Sequence, residues 1–170
     1  MPFNITDFKG NFPFDGARPN LFEVNIPVFD QKLTFTAKTA QLPGSTVGTI
    51  EIPYFGRTVK LAGNRTFPEW TITVINDEDF IIRNQLEEWM ARINGHENNL
   101  SEAFYSQYTF DAEVYQYGKQ GNIIKSYTFV DMFPADLSPI DVSWDANDAI
   151  EEYAVTFQYQ YWTSPEVFVS

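Results

Sequence analysis

Cysteine is absent from the 170-residue chain, and histidine occurs once, as His96. The first absence excludes a disulfide framework, thiol catalysis and cysteine-ligated zinc or iron–sulfur sites. The second excludes a poly-histidine metal site. No apolar run approaches the ~20 residues a membrane-spanning helix needs. The opening Met1-Pro2-Phe3-Asn4-Ile5-Thr6-Asp7 lacks a basic stretch ahead of an apolar core, so no secretory signal is expected. Basic residues are scarce: 11 Lys and Arg stand against 23 Asp and Glu, a net charge of −12. Such a chain repels the phosphates of nucleic acid and of anionic lipid.

Recognisable catalytic motifs are missing too. There is no G-x-G-x-x-G, no P-loop and no G-x-S-x-G elbow. His96 follows a helix stop in a polar loop and reads as solvated, not as a catalytic base. With 23 acids, some carboxylate pair falls at glycosidase spacing by chance, so such a pair carries no signal. Asp141, Asp145, Asn147, Asp148 and Glu151 are dense enough to suggest calcium. An EF-hand loop starting at Asp145 needs glycine where Ile150 stands, so the segment reads as a turn feeding the last strand. The sequence therefore predicts no enzyme, no metal and no cofactor.

What is abundant is aromatic: Phe, Tyr and Trp make up 17% of the chain. They serve a β-rich core or contacts between subunits, where aromatic residues are enriched. Residues 1–20 hold Phe3, Phe8, Phe12 and Phe14 among glycines and prolines with no helical or strand period. The first 16 residues read as an N-terminal arm whose phenylalanines dock on this subunit or on a neighbour. Residues 163–170 read as a C-terminal tail, and the whole as a single domain.

Between these ends the pattern is mostly of strands. Phe22, Val24 and Ile26 alternate with polar residues, as do Leu33, Phe35 and Ala37, with Asp30-Gln31 read as the hairpin turn between them. Trp70, Ile72 and Val74 form another strand, and residues 112–116 and 123–130 a hairpin closed by Gly118-Lys119-Gln120-Gly121. Tyr153, Val155, Phe157, Tyr159 and Tyr161 point one way in the last strand. One helix, about 79–93, carries the stripe Ile82, Leu86, Trp89, Met90 and Ile93, with Asn76 as its cap and Asn94-Gly95 as its stop.

Residues 42–62 are different. Ile50, Ile52 and Tyr54 face Val59 and Leu61 across Phe55-Gly56-Arg57, with Pro53 inside a strand. Proline marks an edge or a protrusion, and a lone apolar hairpin is marginal in water. The hairpin folds back on its own sheet or serves an intermolecular contact.

Several segments in order resemble the tail tube (inner tube) proteins of contractile-tailed bacteriophages. They are Ala17-Arg18-Pro19-Asn20-Leu21-Phe22, Ala40-Gln41-Leu42-Pro43, and Ala62-Gly63-Asn64-Arg65-Thr66-Phe67 with Trp70-Thr71 and Val74-Ile75-Asn76-Asp77-Glu78. Trp144-Asp145, Asn147, Ile150, Val155 and Tyr161-Trp162 complete the set. The resemblance implies a mainly β fold: an antiparallel sandwich or half-barrel flanked by one helix, with the 42–62 hairpin protruding. It implies hexameric rings stacked into a hollow conduit for DNA ejection inside a contractile sheath. The implied partners are the chain itself, the sheath protein, baseplate or tube-initiator and terminator proteins, and tape-measure protein and genomic DNA in the lumen. No membrane partner is implied. The location is the virion tail, with assembly in the host cytoplasm.

On this reading Ile50, Ile52, Tyr54, Phe55, Arg57, Val59 and Leu61 make the stacking contact between rings. Glu152, Gln158, Gln160, Glu23 and Glu113 are lumen candidates. Six chains carry about −72 per ring, a field that lets DNA slide without sticking. The alternatives are a ligand-binding β-barrel, a carboxylate-pair hydrolase, and a tube subunit of a contractile injection system.

Overall fold

The computed structural model describes residues 5–10, 16–29, 31–101 and 103–165. Phe3, Phe12 and Phe14 lie outside these residues, as does the side chain of Phe8. The backbone of the N-terminal segment contains a short helix, α1 (Ile5–Gly10), where no periodicity predicted one.

The remaining elements follow in chain order as β1 (Phe22–Asn25), α2 (Lys32–Thr36), β2 (Ala37–Ala40), β3 (Thr46–Tyr54), β4 (Arg57–Thr66) and β5 (Trp70–Ile75). Next come α3 (Ile81–Ile93), α4 (Tyr105–Tyr108), β6 (Phe110–Tyr117), β7 (Ile123–Leu137), β8 (Glu152–Gln158) and β9 (Tyr161–Thr163). Seven strands form one antiparallel sheet in the order β1-β6-β7-β8-β5-β2, with β9 also on β7. Strands β3 and β4 form a separate two-stranded ribbon. The expected mainly β, antiparallel fold with an appended helix and hairpin is what the chain adopts.

One face of the large sheet is the core. Val24, Trp70, Ile72, Val74, Ala112, Val114, Phe129, Tyr153, Val155 and Phe157 are all buried. Trp70 stacks on Phe129 and Phe157 at 4.5 and 5.8 Å between ring centroids. Helix α3 lies over this face, and its Trp89 meets Phe29, Phe110 and Phe157. The stripe read from sequence holds, with Ile82, Leu86 and Trp89 buried.

Four expectations need correction. Residues 32–38 are not a strand paired to 22–26: Lys32–Thr36 is helical, and β1 pairs β6. Leu33 is buried while Phe35 is 83% exposed, so the short alternation was not a sheet face. Thr34 Oγ1 instead donates to the Val24 carbonyl, covering part of the β1 edge. Helix α3 starts at Ile81, not 79, and Asn76 does not cap it. Asn76 binds Glu151 through its backbone and its side chain, and Asp79 Oδ1 accepts from the Ile81 N–H. The hairpin strands run 46–54 and 57–66, beyond the residues first bounded. Finally, the last strand breaks at Tyr159-Gln160, opposite Asp131 of β7, whose φ is 53°. The alternation changes across this unpaired stretch, so Trp162 packs on the core and Tyr161 is 43% exposed.

Candidate assembly surfaces

The β3–β4 ribbon turns through Phe55-Gly56, whose φ values of 44° and 76° are those of a two-residue hairpin turn. Direct pairs are Ile50↔Leu61, Ile52↔Val59 and Tyr54↔Arg57. Directly paired residues share a face, so one side of the ribbon is apolar from Ile50 to Tyr54. The other side carries Thr49, Glu51, Thr58 and Lys60, with Glu51 and Lys60 ion-paired at 3.8 Å. Such an amphipathic ribbon needs a cover for its apolar side. Nothing in the described subunit supplies it: Ile50, Ile52, Val59 and Leu61 are all about half exposed, and Phe55 is 90% exposed.

The ribbon is nonetheless firmly rooted. Trp70 Nε1–H donates to the Gln41 carbonyl at 2.6 Å, and Trp162 Nε1–H to the Gly44 carbonyl at 2.9 Å. Phe67 packs edge-on against Trp162 just after β4. Near the root, Gly48 and Gly63 face each other, and a Cβ on Gly63 would lie 3.2 Å from the Gly48 backbone. The bulge between Val47 and Thr49 depends on that close approach. The orientation of the uncovered face is thus fixed before any partner arrives.

The second surface is the bare side of the seven-stranded sheet. Pairings Glu23↔Tyr115 and Asn25↔Glu113 put these residues opposite the core face, as do Glu113↔Thr128 and Thr71↔Thr156. Glu152 and Gln158 occupy the same side of β8. Four of the five lumen candidates therefore share one polar face, while Gln160 sits in the break between β8 and β9 and donates to the Tyr105 hydroxyl at 3.0 Å. The acids on this face are held by neighbours. Tyr115 and Tyr117 donate their hydroxyls to Glu113 and Glu23, and Lys38 pairs with Glu152 at 2.5 Å. The hydrogen bond to Glu113 pushes the Tyr115 phenol up to about 12, and that to Glu23 also raises Tyr117. Both phenols thus stay protonated and remain hydrogen-bond donors at neutral pH.

A chain with an uncovered apolar ribbon and a bare acidic sheet face is built to be incomplete alone. A family model described as phage tail tube protein matches residues 5–164. The chain belongs to the phage tail tube protein family. It is 33% identical over 149 residues to the tail tube protein gp19 of Enterobacteria phage T4, covering 87% of this chain and 91% of that one. The tail tube protein of Serratia phage KSP90 is 28% identical over 123 residues, covering 72% and 70%. This tail tube protein is a subunit of a contractile phage tail and hence a virion component. The resemblance read from the sequence motifs holds over most of the chain.

Solved structures agree on the fold. A chain of the anti-feeding prophage baseplate superposes with a TM-score of 0.68 at 11% identity, covering 88% of the tail tube protein and 95% of itself. A chain of the sheath–tube complex of an extracellular contractile injection system gives 0.62 at 16% identity, covering 89% and 93%.

Sequence reasoning passed over one exposed group in the tail tube protein. On the β7–β8 connection, Trp144 is fully exposed, Val142 80% and Ile150 71%. The available signal was three large apolar side chains in an Asp- and Asn-rich turn, where periodicity gives them no core to join. The acids there follow a run of turns, with the Ala146 N–H bonded to the Ser143 carbonyl and that of Asn147 to Asp145.

Proposed function

We propose that six copies of this chain form a ring and that rings stack head to tail into a hollow tube. The observation that carries this is the rooted ribbon with an apolar face that the described residues of its own subunit leave bare. Lone hairpins are marginal in water, so a ten-residue strand is retained for a surface outside the subunit. The apolar face, Phe55 and Arg57 make the contact between rings. The bare face with Glu23, Glu113, Gln158 and Glu152 lines the lumen, with Gln160 at its border. An acidic, hydroxyl-rich wall repels phosphates and lets genomic DNA and a tape-measure protein pass without adhesion.

The role is structural, without catalysis. The sheath, and terminator or cap proteins, named for the contractile systems whose tube-fold chains resemble this one, are the partners expected at the outer wall and the tube end. A baseplate initiator nucleates growth, and assembly takes place in the host cytoplasm. The N-terminal arm with Phe3, Phe8, Phe12 and Phe14 adds contacts between copies.

Negative-stain electron microscopy of the concentrated protein tests the assembly. Six-fold rings or tubes with an axial hole support it. A uniform monomer, even with baseplate seeds added, refutes it.

A further inference from the structure

The ribbon needs an acceptor, and the two ends of the sheet differ in a way that identifies one. The ribbon leaves after β2 and returns just before Trp70, at the start of β5. The 138–151 connection lies at the other end of β5 and β8, where Ile75 pairs with Glu152 and the Ser138 N–H bonds to the Ala154 carbonyl. The two are separated by the length of β5, about 20 Å. Both are anchored: the ribbon by Trp70 and Trp162, the connection by Ser138 and by Asn76 on Glu151.

Their charges are opposite. Residues 46–66 carry Arg57, Lys60 and Arg65 against Glu51 alone, a net +2 in a chain of net −12. Residues 138–151 carry Asp141, Asp145, Asp148 and Glu151 with no Lys or Arg, a net −4. Both also bare apolar side chains: Ile50, Ile52, Tyr54, Phe55, Val59 and Leu61 on one, Val142, Trp144 and Ile150 on the other. The connection borders a half-open hollow of about 290 Å³, with Ile140, Val142, Ala149 and Ile150 beside Asp141, Ser143, Glu151 and Glu152 in its wall. The ribbon tip presents Phe55 in left-handed backbone geometry, an unfavourable conformation for an aromatic residue that a functional contact would justify.

We propose that the ribbon of one copy docks on the 138–151 connection of a second copy in the next ring. Phe55 enters the hollow, the apolar ribbon face covers Trp144, and Arg57 meets the Asp141 and Asp145 carboxylates. This rests on the tube reading above and names the acceptor within it. The two surfaces are unlike and lie at opposite ends, so the contact is heterologous and propagates along an axis instead of closing. Like charges disfavour ribbon against ribbon and connection against connection.

The cysteine-free chain makes the test clean. Phe55→Cys and Ala146→Cys are prepared separately, mixed under conditions where microscopy shows tubes, and treated with a short bis-maleimide. The expected result is a covalent dimer in the mixture and none in either variant alone. The double variant F55C/A146C should give a ladder of multimers. Tubes without the mixed dimer, or self-crosslinking of F55C alone, overturn the acceptor and leave the tube reading standing. No tubes in any sample, wild type included, overturns both. Trp144→Ala is the second measurement. It should keep the subunit's Tm, because the side chain touches solvent only, and abolish stacking; normal tubes from W144A also overturn the proposal.

Discussion

Replacing Ile52 and Leu61 together by threonine should leave the subunit as stable as before and raise the concentration needed for tube growth about 30-fold. Ile52 and Leu61 lie on the apolar side of the ribbon and are 46% and 48% exposed. Burying such a side chain fully is worth about 1.5–3 kcal/mol, and roughly half of that is still unrealised in the isolated subunit. Each therefore contributes on the order of 1 kcal/mol to a contact that covers it. The two together contribute about 2 kcal/mol per subunit, and 1.4 kcal/mol is tenfold. Threonine is a good strand former, so ribbon pairing is kept. The assay is sedimentation of assembled tubes over a concentration series, paired with thermal unfolding of the unassembled subunit. A fall in the subunit's Tm with unchanged tube growth would refute the reasoning, because it would mean that the apolar face is covered within the subunit.

Three further outcomes are expected. Trp70→Ala should cost about 3–5 kcal/mol in urea unfolding, because it empties the stack on Phe129 and Phe157 and frees the Gln41 carbonyl at the ribbon root. Glu113→Cys labelled with maleimide gold should place density in the axial channel of class-averaged tubes; gold on the outer wall would remove that sheet face from the lumen. Lys32 lies between Asp77, at 2.8 Å, and Asp79, and its hydrogen bonds hold both carboxyls below their ordinary 3.8. A depressed carboxyl stabilises the fold above its unfolded pKa and loses that contribution as pH falls through the folded value. Lys32→Met should therefore narrow the drop in Tm between neutral pH and pH values below about 3.8, an effect that salt screens at these exposed groups.

The elements legible in sequence were those whose signal is local. The α3 stripe and the alternation of β5 and β8 each repeat over neighbouring residues and lie where they were read, and the turn read as Phe55-Gly56-Arg57 is there, shortened to Phe55-Gly56 because Arg57 opens β4. What failed depended on distant partners. β1 was assigned to the next segment along the chain, yet its partner is β6, with Val24 opposite Val114. The five residues of α2 are too few for a period of two to be told from one of 3.6, and burial of Leu33 decided between them. Asn76 had the chemistry of a cap, but it is tied to Glu151, 75 residues away, and the helix begins five residues later at Ile81, beyond its reach. The ribbon side of the candidate site was visible because its apolar residues had no neighbouring sheet to join. Its proposed acceptor was not, because a loop tryptophan has no periodicity and is conspicuous only once its exposure is known.

The division between core and assembly surfaces follows from the order of events a tube requires. A subunit must persist alone before it is added to a growing end, so its own fold cannot depend on the surfaces it will later cover. The aromatic stack of Trp70, Phe129 and Phe157 meets that need inside one chain, with no contribution from the ribbon's apolar face. The uncovered face is then a hazard before assembly, since free apolar ribbons aggregate. Net charge counters it: at −12, copies repel one another over the first Debye lengths. The ribbon, at net +2, is attracted to another copy, and the 138–151 connection, at net −4, is the acidic target proposed for it. On the proposed docking, the same acidity that keeps subunits apart in solution selects the orientation in which two of them meet. If that is so, moderate salt should weaken both terms together, slowing specific stacking while increasing disordered aggregation. Turbidity and microscopy over a salt series would separate these, and tube growth that rises monotonically with salt would show that apolar contact alone sets the register.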